Sequence, residues 1–112
     1  MSYREGNGQP NEVFRSVTVR NPKIADEDYD PSYPHRLWIV AARDSGYLKV
    51  AFVDPLNRDC PTVEWVESFY DEECHVDKDD MFDAYQHFLD CELKRGWVIE
   101  PDAPPFTFRS AA

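Results

Sequence analysis

Apolar and polar residues recur with two different periods along this chain, and the change of period divides it. From residue 12 to 20 the run EVFRSVTVR alternates, with Val13, Val17 and Val19 on one face, which predicts a first strand. From 36 to 54, RLWIVAARDSGYLKVAFVD holds two apolar runs around Asp44-Ser45-Gly46, a suitable three-residue hairpin loop with glycine where a positive φ is needed. Pairing Arg43 with Tyr47 sets Trp38 opposite Phe52, Val40 opposite Val50 and Ala42 opposite Leu48, and leaves Leu37, Ile39, Ala51 and Val53 on the other face. Both faces are then apolar, so the hairpin belongs in the middle of a sheet covered on each side. TVEWVESFY (62–70) reads as a further strand with Val63, Trp65 and Phe69 inward, although Val63, Val66 and Tyr70 also meet helical spacing.

Past residue 77 the period becomes helical. Asp77 is a good N-cap, Val76 and Met81 are placed as a hydrophobic staple, and Asp79 and Asp80 sit where the helix dipole favours anions. Met81, Tyr85, Phe88 and Leu89, flanked by Phe82 and Leu93, form one apolar face, and Gly96 after Lys94 and Arg95 ends the helix. Glu92 falls on that apolar face, where it must reach the edge, pair with an arginine such as Arg95 or Arg58, or act as an acid of raised pKa. WVIE (97–100) suggests a short last strand. Polar, Gly- and Pro-rich stretches supply the rest: an N-terminal arm (1–11), a long acidic loop with three prolines (21–35), and an irregular tail (101–112). The expectation is a single α+β domain over residues 1–112, with a mostly antiparallel sheet of 4–5 strands and one long helix packed on a face in the C-terminal half.

Charge changes the picture more than composition does. Twelve basic and 22 acidic side chains give a net charge of −10, which argues against nucleic acid or an anionic membrane as a direct partner. The acids are not evenly spread: Asp59 to Glu92 holds twelve, with Lys78 as the one base, a net of −11, and the rest of the chain comes to +1. Carboxylates three or four residues apart on a helix lie about 5–6 Å apart, comparable with phosphate spacing along a nucleic-acid strand. The expected contact surface is Glu64, Glu67, Asp71, Glu72, Glu73, Asp79, Asp80, Asp83 and Asp90, facing a basic protein, possibly one that itself binds nucleic acid or is a nuclease. Trp65, Phe69, Tyr70 and Tyr85 among these acids would serve as anchors if exposed. A small acidic binding or inhibitor protein of this kind suits phage anti-defence roles, anti-CRISPR proteins among them, or immunity against nuclease toxins. A purely solvated acidic face is the competing reading.

Chemistry adds less. Cys74, His75, His87 and Cys91, with Cys60 as a further donor, are competent zinc ligands, and His87 and Cys91 lie four apart on one helix face. The tight C-x-x-C knuckle is missing, and Cys91 serves equally well as a small buried hydrophobe. Zinc-stabilised structure is therefore the alternative, and the primary expectation is no cofactor. Asp26, Asp28 and Asp30 resemble the start of a calcium loop, but Pro31 replaces the required glycine and Leu37 the terminal glutamate. No phosphate-binding glycine motif or nucleophile elbow occurs, and no enzyme activity is expected, although Cys60 or Cys74 could meet His35, His75 or His87 in space. Three cysteines and no apolar leader are read as reduced thiols in a cytoplasmic protein, against one disulfide and a free thiol in an exported one.

Overall fold

The computed structural model describes residues 11–44, 47–57, 65–70 and 78–108, the 65–70 segment through its backbone. It is a small α+β fold, as the two periods imply. Strands β1 (Glu12–Arg20), β2 (Arg36–Asp44), β3 (Tyr47–Val53) and β4 (Trp65–Tyr70) form a meander. Helix α1 (Lys78–Lys94) then crosses one face of the sheet and delivers β5 (Val98–Ile99) to the opposite edge. The order is β4-β3-β2-β1-β5 with every pair antiparallel. The β2–β3 hairpin is central, as its two apolar faces require.

Its register differs from the expected one. Asp44 pairs with Tyr47, which sets Trp38 opposite Val53, Ile39 opposite Phe52, Val40 opposite Ala51 and Ala42 opposite Lys49. Two residues, Ser45 and Gly46, separate the paired ends instead of three, and they lie outside the described residues. A one-residue slip exchanges the faces of one strand relative to the other. With both faces apolar, alternation alone could not choose between the registers. The observed one puts Leu37, Ile39 and Ala41 together with Leu48, Val50 and Phe52 beneath the helix, where Met81, Tyr85 and Leu89 meet them. Val40, Ala42 and Val53 share the other face. Burial of each large aliphatic here contributes about 1.5–3 kcal/mol.

On β1 a bulge between Val13 and Arg15 corrects a second expectation. Val17 and Val19, joined by Phe14, face the helix, whereas Val13 packs on the opposite side. The extra residue inserted by a bulge reverses alternation at that point. The second face is covered by the C-terminal segment, which is irregular but well tied. Phe106 N–H donates to Ser16 Oγ at 3.2 Å, Trp38 Nε1 donates to the Pro104 carbonyl at 3.2 Å, and the Phe106 ring packs edge-on to Trp38 at 5.3 Å.

Asp77 and Val76, the expected cap and staple, lie outside the described residues. The other end of α1 is explicit. Gly96 has φ 98°, its N–H reaches the Leu93 carbonyl at 3.1 Å, and Trp97 N–H reaches that of Glu92 at 3.1 Å. This Schellman pattern satisfies the last carbonyls and turns the chain into β5. Glu92 is buried on the same helix face as Met81, Tyr85 and Leu89, and accepts a hydrogen bond from Arg95 Nη1 at 3.1 Å, one of the two partners expected for it.

Candidate functional site

Four of the nine acids expected at a contact surface come together on α1. Asp79, Asp80, Asp83 and Asp90 are all exposed, on the side away from buried Met81, Tyr85 and Leu89. Spacings of four and seven residues from Asp79 to Asp83 and on to Asp90 keep them along one stripe, about 16 Å long at 1.5 Å per residue. Gln86 Nε2 donates to Asp90 Oδ1 at 2.9 Å within the same stripe. Asp79 and Asp80 sit in the first turn, where the helix's positive end offsets part of their mutual repulsion. Glu67 lies on edge strand β4 opposite Val50. Glu64, Asp71, Glu72 and Glu73 lie outside the described residues. Of the four aromatics, Tyr85 is buried in the core and cannot serve as an exposed anchor. Its burial pushes the phenol pKa up, opposed in part by the Arg15 charge.

The alternative metal ligands divide in the same way. His87 and Cys91 are brought together by the i, i+4 spacing, with Nε2 and Sγ 3.7 Å apart. Cys60, Cys74 and His75 lie outside the described residues. Among the described residues no three His, Cys, Asp or Glu side chains cluster as a metal site would need. His35, a possible partner for a cysteine, is committed elsewhere.

That commitment belongs to a polar cluster which sequence reasoning missed, at the end of the sheet where β1 stops and β2 starts. The 21–35 loop is closed by Asn21 N–H donating to the His35 carbonyl at 2.8 Å. Its acids fold back through a 3-10 turn at Asp26–Asp28. Asp26 Oδ1 is the hub, 3.0 Å from His35 Nε2, 3.3 Å from Arg36 Nη2 and 3.7 Å from Arg20 Nε. The His35 hydrogen bond, with the charges of Arg36 and Arg20, holds the Asp26 carboxyl below 3.8 against the opposing cost of desolvation. Donation from Nε2 to Asp26 leaves Nδ1 of the fully buried His35 without a partner among the described residues. Beside it Tyr29 donates its hydroxyl to buried Asp54 at 2.6 Å, and that bond is the first reason its pKa is pushed up to about 12. Arg36 is held a second time, bidentately, by Glu100: Nε to Oε1 at 2.6 Å and Nη2 to Oε2 at 3.2 Å. The run of acids at 26–30 and the adjacent His35-Arg36 were the only sequence signals, and Glu100 stands 64 positions from its partner.

Arg36 and Glu100 also form the polar wall of a cleft of about 570 Å³ between the turn after β3 and residues 99–104. The rest of its lining is mostly apolar, chiefly Leu56, Ile99 and Pro104, with Asp102 as a further acid. No described helix is long and apolar enough to cross a membrane. Compared with known proteins, the chain matches no family model, no curated protein and no solved structure, so its function has to be argued from its own side chains.

Proposed function

We propose that this is a small acidic binding protein that acts on a basic protein partner through the outer face of α1, without chemistry of its own. The observation that carries the reading is the alignment of Asp79, Asp80, Asp83 and Asp90 along the exposed side of one helix in a chain of net charge −10. A rigid row of carboxylates fits a basic groove, and a basic groove shaped for nucleic acid is one natural occupant. An inhibitor of a nuclease or of another nucleic-acid-binding complex follows from that fit. Steering between opposite charges makes such association fast and salt-sensitive.

The test is capture from host lysate on the immobilised protein at low salt, elution at high salt, and the same experiment with Asp79, Asp80, Asp83 and Asp90 all changed to lysine. A basic protein retained by the parent and lost with the fourfold variant supports the reading. Equal retention by both sinks it.

A second reading rests on the 3.7 Å approach of His87 and Cys91, which suits a soft divalent metal. Stoichiometric zinc in protein purified without added metal, lost on Cys91→Ser, would favour a zinc-stabilised domain over the acidic-surface reading.

A further inference from the structure

His87 and Cys91 stand on successive turns of α1, and their donor atoms are already set at a chelating distance. Nε2 and Sγ are 3.7 Å apart. A tetrahedral zinc with a Zn–S bond of about 2.3 Å and a Zn–N bond of about 2.0–2.1 Å holds two such donors about 3.6 Å apart, so the pair closes on a metal with about 0.1 Å of movement. The helix fixes the i, i+4 relation, which lowers the ordering cost of binding. The His87 ring is braced as well: it meets Phe88 edge-on at 5.6 Å, and Phe88 meets Phe52 of β3 at 5.9 Å.

The donor chemistry agrees with the distance. Imidazole and thiolate are the ligands that zinc and metals of similar softness prefer. With Nε2 turned to the sulfur, Nδ1 is left to carry the ring proton, the tautomer of an imidazole bound through Nε2. Where the thiol donates to Nε2, a divalent cation takes the place of that proton between the same two atoms, and the proton leaves to solvent. The charges of α1 favour the exchange. Asp83 lies four residues before His87 and Asp90 three after it, both exposed, against Lys94 three residues past Cys91. His87 is exposed and Cys91 half-buried, a setting unlike the closed sphere of a structural zinc.

We infer that His87 and Cys91 by themselves form an open, exchangeable site for a divalent cation of zinc-like softness, with water in the remaining positions. The pair is the one on which the zinc-stabilised reading rests, but the claim is different in kind. The fold does not depend on this metal, and Cys60, Cys74 and His75 take no part in holding it. Nor does it need a partner protein, so it stands or falls apart from the docking surface of α1.

The probe is Co²⁺, because a cobalt–thiolate bond gives a charge-transfer band in the near ultraviolet. The full chain, reduced and freed of metal by a chelator, is titrated with Co²⁺ and then with Zn²⁺ in competition. The expected result is a band of single-thiolate intensity, release of about one proton per metal, and displacement by zinc. Cys91→Ser should abolish the band. His87→Ala should weaken cobalt binding at least about tenfold, the least that loss of even a supporting group costs a metal site. Both variants should keep the parent's circular dichroism spectrum, which separates lost metal from lost fold. A band that survives Cys91→Ser, or one with the intensity of several thiolates, assigns the metal to other cysteines and overturns the proposal. A full equivalent of zinc in protein purified without added metal, removable only with loss of the fold, overturns it in favour of the zinc-stabilised domain. Absence of any band leaves His87 and Cys91 as a hydrogen-bonded pair only and overturns it outright.

Discussion

The Arg36–Glu100 clamp gives the sharpest quantitative test, because it ties the start of β2 to the residue after β5 and closes the polar wall of the cleft. Two contacts, at 2.6 and 3.2 Å, make it bidentate. Hydrogen bonds to charged groups contribute about 1.5–3 kcal/mol when buried, while exposed ion pairs are worth about 0.2–1 kcal/mol. The two side chains are 26% and 27% exposed, so solvent screens the pair without dissolving it. A coupling energy of about 1–2 kcal/mol lies between those limits. Arg36 keeps Asp26 at 3.3 Å when Glu100 is altered, which limits the loss in Glu100→Gln alone.

A double-mutant cycle over the parent, Arg36→Met, Glu100→Gln and the double variant isolates this coupling by urea unfolding. With a slope of about 2 kcal/mol per molar urea, the middle of the range for a domain of this size, the coupling corresponds to roughly 0.5–1 M in the midpoints. Coupling below about 0.3 kcal/mol would refute the reasoning, since it would match an ordinary solvated pair. Arg36 would then be available to an external anion.

Asp26 titrates below its ordinary value in the folded state, so its contribution to stability is fully present above 3.8 and is lost as pH falls through the folded pKa. The stability gap between parent and Asp26→Asn should therefore be widest near neutral pH and shrink in acid; a gap independent of pH would contradict the hub. Tyr29 has the opposite sign, with a pKa raised from 10.0 to about 12, so its hydrogen-bonded form stabilises the fold below 10.0 and ceases to do so as pH rises through 12. In an absorbance titration one late-ionising tyrosine should vanish in Tyr29→Phe and shift toward the ordinary range in Asp54→Asn. Gly96→Ala should cost about 1–2 kcal/mol through its φ of 98° alone, because nothing lies within 4 Å of an added Cβ, and Gly96→Asn should cost less. Met81→Ala, at a fully buried position beneath the sheet's central strands, should cost about 2–5 kcal/mol in the same urea assay.

The parts of this fold that sequence reading reached are those where one period dominates. Strand β1, the central hairpin and α1 with its glycine stop each carry many residues that agree locally, and the buried Met81, Tyr85 and Leu89 follow from spacing alone. The hairpin register was not legible for a specific reason. Leu37 to Ala42 and Leu48 to Val53 are apolar on both faces, so a shift by one residue costs nothing that periodicity can detect. What decides it is which side receives the helix and which the C-terminal segment, a tertiary matter. The bulge at Val13 to Arg15 was hidden likewise, since EVFRSVTVR alternates acceptably without it.

The polar cluster was illegible because every one of its bonds is made by topology. Asp26 meets Arg36 and His35 when the loop folds back, Tyr29 meets Asp54 across 25 positions, and Arg36 meets Glu100 across 64. In one dimension the acids of that loop are indistinguishable from solvated surface, while those of α1 stand out because a helix repeats them on one side. Charge density in the sequence therefore pointed to α1 and away from the sheet end. In three dimensions the sheet end is where Arg20, Asp26, Arg36 and Glu100 are paired with one another and Leu56 and Ile99 are left exposed. Topology, not local spacing, therefore decides which charges are spent inside the fold and which are left on its surface.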